Sequence, residues 1–436
     1  MNQDSNNTYI DLFSGCGGLS LGLGDAGWNG IFAIEKDPMA YESFDRNLVA
    51  EKAPHRHFKN WPQWLSRSSH SIEDILEDPV ALDNLSKMRG RVTLVAGGPP
   101  CQGFSVAGAR NGEDPRNLLV FKQIKLVSIL KPKFCIIENV EGFERKFISR
   151  PIDKINISVA EAALREISKL GYSVGKVTIN AADYGVPQIR KRVILFAMDE
   201  DFFGPLNASK ILQDVMLNVG IEQRISLNLP TKRYVTVGEA ISDLSGDNVV
   251  ADPEFEGYRT CQYLPAMSAY EKLMRKNIAP HELPSSHRFS KHSSRAVELY
   301  KRAIETQPPG RLSKEFLYQN GCHSNKRFVL DVHKPCSTVT TAPEELIHFS
   351  HPRSVTLREM ARIQSFPDDF RFFGRYTLNG PCRGIDVPRN AQIGNAIPPL
   401  VGRALGLSLK KILSIQQRES AAFDRYREPI QMQLFE

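Results

Sequence analysis

The sequence predicts an α/β fold in which a doubly wound parallel sheet carries a second, smaller and irregular domain. Three observations point there. Over the first 200 residues, short β-branched or apolar runs alternate with amphipathic helical stretches. A glycine-rich turn follows the first of those runs and opens a helix. Beyond Met198 the alternation weakens, and Pro205, Pro230, Pro253, Pro265, Pro280, Pro284, Pro308 and Pro309 punctuate the middle of the chain.

Taken in order, strands are expected at Tyr9 to Phe13, Ile31 to Glu35, Val92 to Ala96 and Phe134 to Glu138. Helices are expected from about Leu19, from about Pro38 and over Leu118 to Leu130. Right-handed crossovers would make these strands parallel. Val174 to Ile179 and Val193 to Met198 could complete the sheet. The middle region should hold few long elements. Regularity returns at RSVTLREMARIQSF, where Thr356 can cap a helix, and a last helix is expected from about Pro399 to Gln416.

Composition narrows the class. Among 436 residues, 41% are hydrophobic and 24% charged, the balance of a globular chain with a sizeable core. No apolar run approaches the roughly 18 residues of a membrane span, and MNQDSNNTY has the makings of no signal peptide, so the protein is expected in the compartment where it is made. Seven cysteines, an odd number without C-x-x-C, suggest a reducing cytoplasm and no disulfide framework. The net charge of +7 is unevenly placed: residues 199–256 hold 4 Lys/Arg against 11 Asp/Glu, and residues 257–340 hold 14 against 6. That reads as a face for a polyanion, with a cluster of solvated side chains as the plainer alternative.

Chemistry concentrates at three places. In Asp11-Leu-Phe-Ser-Gly-Cys-Gly-Gly18 the glycines let the backbone approach a ligand, and Glu35, 17 residues after Gly18, can accept from both ribose hydroxyls, so an adenosine-containing ligand is expected. Dinucleotide enzymes, methyltransferases and simple tight turns share that pattern. In GGPPCQGFS, Cys101 lies just past a strand's carboxyl end, where its thiolate could act as a nucleophile, whereas Cys135, inside FCIIEN, reads as an inert core thiol. Glu138 ends the neighbouring strand on the same rim and could activate a heterocycle. Gln188, Arg190 and Arg192 would alternate onto one face able to hold an anion or a carboxylate, or form a solvated basic edge. Cys322, His323, His333 and Cys336 match no familiar metal spacing, so no metal is expected, and Trp61 and Trp64 read as packing residues.

In this order, DLFSGCGGLSLGL, AIEKDP, GGPPCQGFS, DPRNLL, ENV, QIRKR, RSVTLREMARIQSFPDDF and QIGNAIPP resemble the DNA (cytosine-5) methyltransferase family. The resemblance covers the first 200 residues and the last 85 or so, and leaves the middle unmatched. It implies a Rossmann-like domain binding S-adenosyl-L-methionine (1–198), a target-recognition domain (199–352), and a segment returning to the catalytic domain (353–436). By the same resemblance Cys101 is the nucleophile, Glu138 and Arg190 hold the target base, and Arg192 joins the catalytic group by supporting Glu138 or the backbone. Phe13, Gly15, Gly18, Glu35, Lys36, Asp74, Pro100, Leu119, Asn395 and Ile397 are the implied cofactor contacts. The implied partner is double-stranded DNA with one cytosine flipped out, met by a monomeric enzyme of a bacterial or phage restriction-modification system, cytoplasmic and nucleoid-associated. The rivals are the same chemistry on tRNA, disfavoured by the long insert, and a catalytically silent DNA-binding regulator, disfavoured by intact Cys101, Glu138 and Arg190. A NAD-dependent dehydrogenase would have no use for the PPCQ loop.

Overall fold

The structure, a computed structural model, describes residues 7–100, 118–145, 157–322, 326–377, 386–418 and Tyr426. Cys101, the loop after it, His323 and Cys382 lie outside the described residues.

The first half runs β1 (Thr8–Leu12), α1 (Gly18–Asp25), β2 (Asn29–Ile34), α2 (Pro38–Phe44), α3 (Ile72–Glu77), α4 (Pro79–Lys87), β3 (Leu94–Gly97), α5 (Leu119–Leu130), β4 (Phe134–Asn139), α6 (Val159–Ser168), β5 (Tyr172–Asn180) and β6 (Lys191–Asp199). The six strands form one sheet in the order β2-β1-β3-β4-β6-β5. The expectation of a wholly parallel sheet needs one correction. β1 to β4 are parallel, but β6 runs antiparallel to both β4 and β5. The cause is the length of a connection: a parallel crossover takes a dozen or more residues, and residues 181–190 are too few. β5 therefore turns back on itself, and β6 fills the slot beside β4.

Both faces of the sheet are covered, and the strand periodicity shows how. Along β6, Ile194, Phe196 and Met198 enter one core, while Val193, Leu195 and Ala197 enter the other. Cys135 belongs to the second core, and burial pushes its thiol up to about 12, which leaves it inert. The first core is roofed by α1 and by α15 (Pro399–Arg418) at the far end of the chain. Those helices meet backbone to backbone. A Cβ on Gly22 would lie 2.1 Å from the Pro399 carbonyl oxygen, and one on Gly402 would lie 2.8 Å from that of Leu19.

After the short α7 (Glu200–Phe203), one long helix interrupts the stretch expected to be irregular. α8 (Ala208–Ser226) buries Ile211, Leu212, Val215, Met216 and Val219 in the first core, beside β5 and α15. Its outer face also carries apolar side chains, with Leu217 and Ile225 about 60% exposed, and this blurs the helical contrast in the sequence.

From there all but one of the described elements are short, α11 having 13 residues: α9 (Val237–Ile241), β7 (Val249–Ala251), β8 (Arg259–Cys261), α10 (Ala269–Met274), α11 (Ser294–Thr306), β9 (Gly310–Arg311), α12 (Lys314–Gln319), β10 (Phe328–Val329) and β11 (Leu346–Ile347). α11, α12 and the three smallest strands enclose a separate small core around Leu299, Tyr300, Ala303, Leu317 and Ile347. The chain then returns through α13 (Leu357–Ile363) and α14 (Arg389–Asn395). Thr356 does cap α13, in a reciprocal box with Glu359. Trp61 donates to the Leu65 carbonyl and meets Tyr41 edge-on, and Trp64 meets Phe32 likewise, so both are packing residues.

Candidate active site

The glycine loop is shaped by three left-handed residues, Phe13 (φ 56°), Gly15 (φ 56°) and Gly17 (φ 99°). An aromatic residue in that region is strained, and strain of this kind persists where surrounding structure enforces it. Glu35, just past β2, holds the same loop two residues on, at Gly15. One carboxylate oxygen accepts from the Gly15 N–H at 2.8 Å, the other from the Asp37 N–H at 2.8 Å. Burial pushes the Glu35 pKa up, and these two N–H groups pull against that shift. Asp37 caps α2 with one oxygen and accepts from the Val387 N–H with the other, so the loop is tied to the returning C-terminal segment. In the sequence, Asp37-Pro38 signals only the start of a helix, and nothing local announces the tie to Val387.

Gly18 has a different reason to be glycine. A Cβ there would sit 2.3 Å from the Ile397 carbonyl oxygen. Ile397 thus presses on the glycine loop, while Asn395 ends α14 exposed. Phe13 and Leu119 pack against the same second core. Lys36 is exposed. Asp74 closes the N-terminal capping box of α3 with Ser71, whose N–H holds the Asp74 carboxyl below its usual range. His70 donates its N–H to the Glu35 carbonyl and so brings this segment to the end of β2.

The second half of the site lies where β3 and β4 end side by side. Glu138 is nearly buried, and one of its oxygens pairs with Arg192 Nε at 3.0 Å. The other faces the cysteine loop: it lies 3.3 Å from where a Gly98 Cβ would be. Asn139 secures the same loop by donating its side-chain amide to the Pro99 carbonyl at 3.2 Å. Pro100 is exposed, and Cys101 is the next residue in the chain. Ile397 reaches this loop too, its Cδ1 3.7 Å from the Gly98 position. The sequence carried no signal for Asn139 beyond its place after Glu138.

The basic segment divides differently from the one-face expectation. β6 starts only at Lys191, so Gln188 and Arg190 precede the strand. Arg192 takes the carboxylate. Gln188 is wholly buried, donating to Gln364 Oε1 and accepting from the Val339 N–H. Arg190, 3% exposed, donates to the carbonyls of Val339, Gly394 and Ala396.

Two glycine-bearing loops therefore open on one edge of the sheet, one anchored to a carboxylate suited to a ribose diol, the other beside a carboxylate oriented by an arginine. The C-5 cytosine-specific DNA methylase family profile matches residues 7–411. The chain is 33% identical over 413 residues to the Type II methyltransferase M.DdeI of Desulfomicrobium norvegicum, covering 91% of this chain and 86% of that protein. It is 29% identical to the Type II methyltransferase M1.HphI of Haemophilus parahaemolyticus, covering 93% and 87%. Among solved structures, a prophage-encoded E. coli protein described as a DNA modification methyltransferase superposes with a TM-score of 0.65 at 25% identity, over 93% of this chain and 99% of that one.

Proposed function

This chain belongs to the C-5 cytosine-specific DNA methylase family, and from that premise we propose which of its residues do the work of cytosine methylation. The enzyme transfers a methyl group from S-adenosyl-L-methionine to C5 of a cytosine in DNA through a covalent bond between Cys101 and C6. The donor supplies an electrophilic methyl on a sulfonium.

The glycine loop fits that donor: Glu35, its carboxylate fixed by Gly15 and Asp37, accepts from the ribose hydroxyls, and Phe13, Gly18, Leu119 and Ile397 line the approach. Lys36, Asp74, Pro100 and Asn395 complete the proposed cofactor contacts from the periphery. On the rim, Cys101 adds to C6 while Glu138 hydrogen-bonds the base's N3 edge, which makes C5 nucleophilic enough to take the methyl. A base then takes the C5 proton, and the electron pair of that C–H bond re-forms the C5–C6 double bond as the Cys101 thiolate leaves C6. Arg192 holds Glu138 in orientation. The observation that carries this reading is the Glu138 carboxylate, braced by Arg192 on one oxygen, with the other turned to the loop that leads into Cys101.

C6 is shielded in stacked duplex DNA, so the base has to be extruded, at a cost of about a few kcal/mol that contacts elsewhere must offset. We assign those contacts to the part of residues 199–352 that lies beyond α8, since α8 itself packs on the sheet. Arg295, Lys301, Arg302, Arg311 and Lys314 are exposed around the small third core, which supports a phosphate-facing surface there.

Bisulfite sequencing of plasmid DNA from cells expressing the chain tests the assignment. Protected cytosines are expected at one recurring sequence, and none in cells expressing Cys101→Ser. Protection that survives Cys101→Ser would overturn the role given to that thiol.

A further inference from the structure

One buried side chain holds three segments that are distant in sequence in register behind the active site. Arg190 is fixed at its backbone to the end of β5, its N–H donating to Asn180 Oδ1 and its carbonyl accepting from the Ala181 N–H. Its guanidinium donates through one terminal nitrogen to the Val339 carbonyl at 3.2 Å, and through the other to those of Gly394 at 3.1 Å and Ala396 at 3.3 Å. Val339 belongs to the middle region of the chain, and Gly394 and Ala396 to the returning segment. These two touch directly, because a Cβ on Gly394 would lie 2.5 Å from the Thr340 carbonyl oxygen.

The next residue after Ala396 is the wedge between the two loops. The Ile397 carbonyl abuts Gly18 of the cofactor loop, and its side chain abuts Gly98 of the cysteine loop. We propose that Arg190 is a positioning residue: by clamping Ala396 it seats Ile397 against both loops, aligning methyl donor and nucleophile, and it does not contact the base. This rests on the site assigned above. The guanidinium serves these carbonyls from two nitrogens held apart in one plane, whereas an ammonium presents its three donors from a single point. Gln364 Nε2 also reaches the Gly394 and Ala396 carbonyls, at the longer distances of 3.5 and 3.4 Å, so loss of the guanidinium would leave those two on one weak donor and take the Val339 carbonyl's bond away, and the segment would shift until they are satisfied again. Ile397 would move with it, and both loops would loosen together.

A base-contacting arginine and a clamping arginine fail differently. Removal of the former leaves donor binding intact, whereas removal of the latter weakens donor binding before any DNA is present. The test uses the full chain as wild type, Arg190→Met, Arg190→Lys, Ile397→Ala, Arg190→Met with Ile397→Ala, and Arg192→Lys. S-adenosyl-L-methionine affinity without DNA is measured by calorimetry, and kcat by transfer of labelled methyl to DNA. Arg190→Met is expected to weaken donor binding by at least tenfold and to lower kcat, with partial recovery in Arg190→Lys. Ile397→Ala should reproduce the binding loss, and the double variant should lose no more than the worse single one, because both act through one contact. Arg192→Lys should bind the donor within twofold of wild type while kcat falls. Wild-type donor affinity in Arg190→Met overturns the proposal, as does a fully additive double variant. If Arg190→Met does not fold, donor affinity in Arg190→Lys decides: a loss of threefold or more supports the clamp, and an unchanged value overturns it. A wild-type chain that binds no donor would instead sink the underlying site assignment, whatever the variants do.

Discussion

Among single residues, the proposed active rim turns on how one carboxylate is held. Glu138 has a fixed partner on one oxygen and the cysteine loop before the other, so its orientation is set before substrate arrives. Preorganisation of this kind avoids rearrangement during reaction. Glu138→Gln keeps the shape, but the amide can neither carry the charge nor deliver a proton. Its kcat is expected to fall by about 10² to 10⁴, the range of a general acid or base, with donor affinity within twofold of wild type. A loss confined to KM for DNA, measured in steady-state methyl transfer, would show that Glu138 serves binding alone. Arg192 and Arg190, two residues apart in one basic motif, illustrate how local context divides labour: one pairs with a carboxylate at the mouth, the other is sealed under three carbonyls.

At the scale of elements, the site depends on helices from opposite ends of the chain packing at backbone distance. α1 opens directly from the glycine loop, and α15 lies against it through Gly22 and Gly402. Gly22→Ala would drive a methyl into the Pro399 carbonyl. Overpacking of this kind costs about 1–3 kcal/mol, so chemical denaturation should show that loss, accompanied by weaker donor binding as α1 is pushed away. An unchanged denaturation midpoint would mean the helices part at no cost. The Thr356 cap of α13 is legible in the sequence because it is written within four residues. α8 was not readable, because Leu217, Ile221 and Ile225 on its outer face mask the buried stripe.

At the scale of the whole molecule, the middle of the chain is joined to the returning segment by buried charge. Arg362 is wholly buried, with its donors shared among Asp243, Asp368 and the Ala240 carbonyl. Arg362→Met would remove the shared partner of two buried carboxylates, leaving Asp243 with Arg275 and Asp368 with Tyr263 and Arg358. About 3–5 kcal/mol of stability should be lost, read from thermal or denaturant unfolding, and a neutral result would mean that water reaches the site. Two buried histidines lie in the same region. Burial lowers His287 to about 4 and His348 to about 3. Each ring is built in as the neutral form: His348 Nδ1 accepts from the N–H groups of Ser350 and His351, and His287 bridges the Thr356 hydroxyl and the Leu244 carbonyl. With folded values below the unfolded value near 6.5, their contribution is present above that pH. It is lost as pH falls toward the folded values, because the unfolded chain takes up protons first. Ring NMR shifts should therefore show both histidines neutral at pH 5.5, and a midpoint near 6.5 for either would contradict this. The basic excess of the middle region is also partly internal, since Arg275 lies over Tyr263, and Arg288 over Phe255, Tyr258 and Tyr376.

The amino-acid sequence alone determined the alternating α/β framework, the two glycine-bearing loops, the acids at the ends of β2 and β4, and the order of motifs that marks the family. Each of these is a short-range pattern, expressed within a few residues by backbone freedom, periodicity or capping. The reversed run of β6, the packing of α8 on the sheet, the burial of Arg190 under three carbonyls and the wedging of Ile397 between both loops come from the three-dimensional fold. Those outcomes depend on contacts between segments up to about 380 residues apart, such as Gly18 with Ile397. No local pattern encodes them, because partners at that separation are chosen by the packing of the whole core.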